Sequence, residues 1–494
     1  MLISRHTALA HGLAFVLLAA APSARAARAL GSLQFEPCTL AAPGMPATVS
    51  AWCSSLEVPE DRTRPQARRI RLAVAWVPTD ARRARPDPVF MLAGGPGQSA
   101  RESFASIADA FGDVLRDRDV ILVDQRGTGG SHALACRDSQ GHSAVTEGNS
   151  DDPEIARRFA ERCLKNLDAD PRFYTTGEAV ADLDAVRVAI GAAQINLVGI
   201  SYGTRVAQEY LRRHPATTRT VVLDGVVPAE LVLGSEHARN LEDAVNRQLA
   251  RCTADPACAS RFGNPRQGLD ELLGRLRVQP QRVRFRDPLT NESREESLTA
   301  ESVAGVVRLY AYVPQLFAML PLSLAEAEAG RPEVFMAQAG MLQSLIGEQI
   351  MHGLQLSVSC SEDADLLQPN PADQGTLMGT GFVTLIKAQC AVWPRGAVPK
   401  DFHDPVRSDR PVLLLSGDLD PVTPPRYGDQ VVKYLPNGRH LVLRGQGHNV
   451  MGAGCAPRLM GRFIATADAR ALDAKCLDRL TYTPPFTGTY GWEP

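Results

Sequence analysis

The 494-residue chain lacks a dominant charge: 53 Lys and Arg stand against 55 Asp and Glu, a formal net of −2. That balance excludes the basic footprint of a nucleic-acid-binding protein, so no nucleic-acid partner is expected. Beyond residue 21 the chain has no apolar run long enough to cross a bilayer, which takes about 20 apolar residues. No C-x-x-C pair occurs and the histidines do not gather near the cysteines, which argues against zinc. No G-K-[ST] follows the Gly-rich stretch at 94–97, and Pro96 removes a backbone donor there, so a phosphate-binding loop is excluded. Internal repeats and low-complexity tracts are also missing after the first 26 residues.

Those first residues are distinctive. Arg5 and His6 precede an apolar run over 8–21, and Ala24-Arg25-Ala26 offers a small-x-small cleavage site. The pattern predicts a secretory signal over 1–26, too short for a comfortable membrane span, and no membrane association once it is removed. Its removal takes away two arginines and no acid, leaving a net charge of −4. The first cysteine, Cys38, lies too far along for lipid attachment. All ten cysteines follow the signal and their number is even, as the disulfide framework of an exported, periplasmic or extracellular protein requires. Ten thiols allow about a thousand pairings, so connectivity stays open. Pairing sequence neighbours gives Cys38–Cys53, Cys136–Cys163, Cys252–Cys258, Cys360–Cys390 and Cys455–Cys476.

The chain is too long for one ordinary core. Short apolar, β-rich runs at 70–76, 89–92, 120–123, 195–198 and 220–223 alternate with helical patterns at 155–167, 178–190 and 204–213. This implies a mostly parallel sheet covered by helices on both faces. The strand pattern then gives way to helices expected at 235–249, 300–310, 316–329 and 333–348, with a hairpin at 283–298. Strands resume at 411–415 and 440–443, and a last helix is expected at 459–465. The fold class is therefore α/β, with these expected boundaries: a first core part over 27–227, a mainly helical cap over 228–404, and a second core part over 405–494.

Gly199-Ile200-Ser201-Tyr202-Gly203 sits between an apolar strand and a helix, the context of a nucleophile elbow. The competing reading is an ordinary turn with a surface serine. A serine attacks a carbonyl well only if a base takes its proton and a third group orients that base. His448 follows one late strand. Asp418 and Asp420 follow the strand before it, and Asp420 is preferred because Pro421 fixes the turn after it. Asp418 then caps that turn through its side chain. Thr423 stands close enough in sequence to hydrogen-bond near the acid or to cap a helix. Nucleophile, acid and histidine occur in the order of an α/β-hydrolase. The loop at Gly94-Gly95-Pro96-Gly97 supplies an oxyanion hole, with one donor from Gly94 or Gly95 and the other from Tyr202.

These segments, together with Asp124-Gln-Arg-Gly-Thr-Gly-Gly-Ser131, Tyr174-Thr-Thr176 and Ala181-Asp-Leu183, resemble the tripeptidyl and prolyl aminopeptidases of the α/β-hydrolase superfamily. The resemblance runs over about residues 35–480, including the TAP-like C-terminal region, and Cys136 beside the D-Q-R-G run is similar to the secreted tripeptidyl branch. It implies an α/β-hydrolase fold and release of short N-terminal peptides by Ser201, Asp420 and His448, without metal or cofactor. Prolyl aminopeptidases usually carry His where Ala93 stands, which argues against strict proline specificity. Related secreted members also act as esterases or on small acyl substrates, so a carboxylesterase or amidase is the alternative. An aminopeptidase must bind a free α-ammonium group, and Glu362 and Asp363 are the candidate acids. The bland alternative for them is a solvated acidic turn.

Overall fold

The computed structural model describes residues 27–44, 46–137, 152–288, 290–346, 349–488 and 491, and the expected signal at 1–26 lies outside them. The strands are β1 (Arg28–Leu30), β2 (Leu33–Ala41), β3 (Thr48–Pro59), β4 (Arg69–Val77), β5 (Val89–Leu92), β6 (Val120–Val123), β7 (Ile195–Ile200), β8 (Thr218–Asp224), β9 (Gln281–Arg286), β10 (Ser293–Leu298), β11 (Val412–Gly417) and β12 (Gly438–Leu443). A ten-stranded sheet forms in the order β1-β2-β3-β4-β6-β5-β7-β8-β11-β12. From β6 to β12 neighbouring strands run parallel. Every residue of β5, β6, β7 and β11 is buried, as expected for continuous apolar strands covered on both faces.

The N-terminal flank differs from expectation. β1 to β4 pair antiparallel, and β4 joins β6 antiparallel. The sequence of β2, Leu-Gln-Phe-Glu-Pro-Cys-Thr-Leu-Ala, alternates buried and exposed positions because one of its faces meets solvent. That alternation is interrupted by Pro37 and Cys38, and this obscured the strand in the sequence.

Two apolar cores lie on opposite faces of the sheet. One gathers Leu72, Phe90, Leu197 and Val206; the other gathers Phe104, Met91, Leu415 and Met460. Residues between β8 and β11 form a third core of their own, around Leu241, Leu272, Val303 and Phe335. The hairpin β9–β10 belongs to that unit. The single helix expected at 316–329 is two, Pro314–Phe317 and Leu320–Glu328, because Pro321 cannot continue a helix begun upstream.

The cap is fastened to the sheet's loops. Met351 N–H donates to Gly97 O at 2.9 Å, Gly353 N–H to Leu134 O at 2.9 Å, and His448 N–H to Tyr312 O at 3.0 Å. The ten cysteines pair as sequence neighbours in five disulfides. Cys136–Cys163 and Cys360–Cys390 share one small core with Phe159 and Trp393. That core clamps the helix Pro153–Asn166 against the cap helices His352–Glu362 and Gly381–Cys390. Peptide mapping under non-reducing conditions is expected to recover the 136–163 and 360–390 crosslinks and no free thiol. Any pairing that joins these two bridges' cysteines crosswise would contradict the clamp.

Candidate active site

Ser201 follows β7 directly and caps the start of the helix Tyr202–Arg213. Its φ of 54° and ψ of −123° lie where a non-glycine residue is strained. The flanking glycines are required by close approach rather than by their own dihedrals. A Cβ on Gly199 would stand 2.4 Å from Gly203 O, and one on Gly203 would stand 2.3 Å from Leu92 O. The strand-to-helix turn therefore packs directly on the end of β5, and the residue after β5 is the Gly-rich loop. A Cβ on Gly94 would lie 3.1 Å from Ser201 Cβ, so this loop borders the serine. Tyr202 N–H occupies the first helical position, where no intrahelical acceptor exists.

His448 and Asp420 approach from β12 and β11. His448 Nδ1 lies 2.7 Å from Asp420 Oδ2. A carboxylate only accepts, so the proton sits on Nδ1 and Nε2 is left with a free lone pair. Asp420 is held by Val422 N–H and Thr423 N–H on Oδ1, each at 2.8 Å, and by the Thr423 hydroxyl on Oδ2 at 2.8 Å. Burial works against its charge, but His448 and these donors outweigh it and keep the carboxyl below its ordinary range. Burial likewise opposes the imidazolium of His448. Asp420 in contact and Asp224 beyond it outweigh that, so His448 titrates above the ordinary histidine value. The ring of Tyr312 meets His448 edge-on, with centroids 5.3 Å apart.

Asp224, at the end of β8, links the two approaches. Its carbonyl accepts Ser201 N–H at 2.8 Å. Its buried carboxylate accepts Val450 N–H and Met451 N–H at 2.8–2.9 Å, just past His448. Burial pushes this carboxyl up to about 6, against those donors and His448. The next residue, Gly225, has φ +69°, and a Cβ on it would lie 3.0 Å from His448 Cε1. Serine and histidine thus rest on the same dipeptide.

A family model described as alpha/beta hydrolase fold matches residues 87–297, and one described as TAP-like protein matches residues 377–476. The chain belongs to the TAP-like α/β-hydrolases. It is 24% identical to the serine protease Hip1 of Mycobacterium tuberculosis, over 90% of this chain and 91% of that protein. It is 31% identical to the tripeptidyl aminopeptidase of Streptomyces lividans, over 42% of this chain and 40% of that protein. Carboxylesterase B of Mycobacterium tuberculosis is 31% identical over 42% of this chain and 43% of its own length.

In this TAP-like chain the D-Q-R-G run acts as a brace. Asp124 accepts from Ser99 Oγ at 2.6 Å, Arg101 N–H at 3.1 Å and Gly130 N–H at 2.9 Å, fixing the chain just after the Gly-rich loop. Arg126 is fully buried and grips Asp182 with two hydrogen bonds at 2.6 and 2.7 Å. Gln125 donates to Tyr202 Oη at 3.2 Å. Asp418 is not beside the histidine. Its oxygens accept Gly445 N–H and Tyr482 Oη, each at 2.7 Å.

Glu362 and Asp363 correct the sequence expectation. Both are buried at the end of the helix His352–Glu362, so they are not a solvated acidic turn, and as candidates for binding an ammonium group they already hold partners within the fold. Asp363 pairs with Arg205 at 2.8 Å and accepts Leu233 N–H at 3.1 Å. Glu362 accepts Thr176 N–H at 2.6 Å and Thr176 Oγ1 at 3.0 Å, and the same hydroxyl lies 2.7 Å from Tyr202 Oη. One guanidinium cannot neutralise two buried carboxylates, and burial pushes Glu362 up to about 8. Tyr312 and Asp224 escaped the sequence reading altogether. For Asp224 a signal existed, an acid ending an apolar strand immediately before glycine.

The raised Glu362 carries a stability consequence. Its folded value exceeds the ordinary carboxyl value of 4.5, so its contribution is intact below that pH and is lost as pH rises through about 8. Glu362→Gln is therefore expected to melt close to the wild type at pH 5 and above it at pH 9, measured by thermal unfolding across that range. A constant difference at all pH values would contradict the assignment.

Proposed function

We propose that this chain is an exported serine exopeptidase, periplasmic or extracellular, that releases short peptides from a free N-terminus. The single observation that carries the reading is the buried Asp420–His448 pair, 2.7 Å apart, resting on the same Asp224-Gly225 dipeptide as the strained Ser201. In this mechanism Ser201 Oγ attacks the scissile carbonyl carbon while His448 Nε2 takes its proton. The developing oxyanion turns toward N–H groups of Gly94 or Gly95 and Tyr202. His448 then passes the proton to the departing amine. Water attacks the acyl-enzyme by the same steps in reverse roles, returning the serine.

The exopeptidase reading draws support from the tripeptidyl aminopeptidase among the relatives and from the cap, which is fastened to the Gly-rich loop and to the loop that carries His448. Five disulfides fit export, and no helix among the described residues is long and apolar enough to cross a membrane. The burial of Glu362 and Asp363 favours a second reading, hydrolysis of esters or amides without an α-amine, as in the relative named carboxylesterase B.

A fluorophosphonate is expected to label wild-type protein at Ser201, with labelling absent in Ser201→Ala and peptide turnover reduced about 10⁴-fold or more. A folded wild type that resists labelling would remove the hydrolase reading. Cleavage of a peptide library with mass readout, beside N-acetylated analogues and short-chain esters, separates the two substrate readings. Only neutral His448 can take the serine proton, so kcat/KM is expected to rise with pH through a value above the ordinary histidine range of about 6.5. Asp420→Ala should move that acid limb to lower pH as well as slow the reaction. An unmoved limb would mean that another group titrates.

A further inference from the structure

Cap elements converge beside His448, and the helix that ends there carries an arginine one turn away. Tyr312, whose ring and carbonyl both touch His448, closes the helix Ala300–Ala311 and keeps helical dihedrals. Arg308 lies four residues earlier, on the same helix face and one turn farther from the imidazole. The Arg308 guanidinium lies 5.4 Å from the ring centroid of Phe382, at the start of the helix Gly381–Cys390. Phe382 in turn lies 5.3 Å from the ring of His237, the first residue of the helix His237–Ala254. His237 Nδ1 is buried and has no hydrogen-bond partner among the described residues. Burial, and then the charge of Arg308, push His237 down to about 3, with His448 and Asp420 also acting on it. His237 is thus a neutral ring in electrostatic reach of both Arg308 and the His448–Asp420 pair.

Arg308 differs from the shielded arginines whose charge is matched by an acid. Arg118, Arg126, Arg205 and Arg239 each grip a carboxylate at 2.6–2.8 Å. Arg308 is half-buried, and among the described residues no acid pairs with it; its guanidinium lies over the Phe382 face. Stacking on a ring holds a guanidinium in place and leaves its planar fork of N–H groups open. Such a fork matches the two oxygens of a carboxylate. The candidate acids for a cationic substrate group, Glu362 and Asp363, both lie against Arg205.

We propose that Arg308 is a specificity-determining residue that binds a carboxylate on the substrate, with His237 as a neighbouring neutral hydrogen-bonding group. This rests on the serine-hydrolase reading and narrows its substrates to peptides or acyl compounds bearing a carboxylate, either an acidic side chain or a free C-terminus.

The test uses the full-length mature protein and matched substrate pairs: peptides differing by Glu against Gln, peptides with a free against an amidated C-terminus, and phenyl esters with and without a terminal carboxylate on an acyl chain of equal length. In the wild type, kcat/KM is expected to favour the carboxylate about ten-fold or more in at least one pair, and the pair that responds identifies the source. In Arg308→Gln that ratio should fall to near one, while Arg308→Lys keeps its sign, which rules out misfolding as the cause. Ratios near one in the wild type, or a ratio unchanged in Arg308→Gln, would overturn the proposal. A carboxylate preference confined to esters, with no peptide cleaved, would retain the role of Arg308 and remove the peptidase reading. Peptide cleavage without any preference would do the reverse.

Discussion

Asp224 is the constraint on which the site depends. Its backbone oxygen accepts the Ser201 N–H that follows β7, while its carboxylate accepts the N–H groups of Val450 and Met451 that follow His448. One residue at the end of a buried strand thereby fixes two loops nearly 250 positions apart in the chain. The glycine after it is equally constrained, since a side chain there would meet the His448 ring. A buried carboxylate is costly unless its oxygens are hydrogen-bonded. Placing it where two loops converge leaves those loops one arrangement that satisfies it.

The same economy appears at the joint between core and cap. Arg205, on the helix that begins just after Ser201, meets Asp363 and Glu362 at the end of a cap helix. Glu362 continues through Thr176 to the hydroxyl of Tyr202. Tyr202, the residue after the serine, is therefore tied by its side chain to the cap. Burying a guanidinium with two carboxyl groups contributes little net stability in general but tolerates few alternative packings. On the opposite side, the cap accepts the backbone N–H of His448 through Tyr312 O. Cap and core are thus joined both at the helix that follows Ser201 and at the loop that carries His448.

The parallel centre of the fold was legible because β5, β6, β7 and β11 are buried on both faces and must be apolar throughout. The flanking strands β2 and β3 were not, because their half-exposed faces admit Ser, Thr, Glu and Pro, and the alternation dissolves into loop-like composition. The positions of Ser201, Asp420 and His448 in loops after β7, β11 and β12 were legible because each follows a short apolar strand. Glu362 and Asp363 were misread because an acidic pair has the same sequence signature whether it faces water, a ligand or a buried arginine. The partner, Arg205, lies more than 150 residues away.

The sequence by itself determined the buried parallel strands and the residue types available at the turns after them, since hydrophobic periodicity, glycine at tight turns and the order of serine, acid and histidine are local properties of the chain. The tertiary structure alone decided which charges are spent internally and which remain open. Asp224 is consumed by two backbone N–H groups and Arg205 by two acids, whereas Arg308 keeps its donors on an aromatic face. The physical reason is that an ion's role depends on its nearest partners and their burial, and those partners come from distant parts of the chain that only folding brings together.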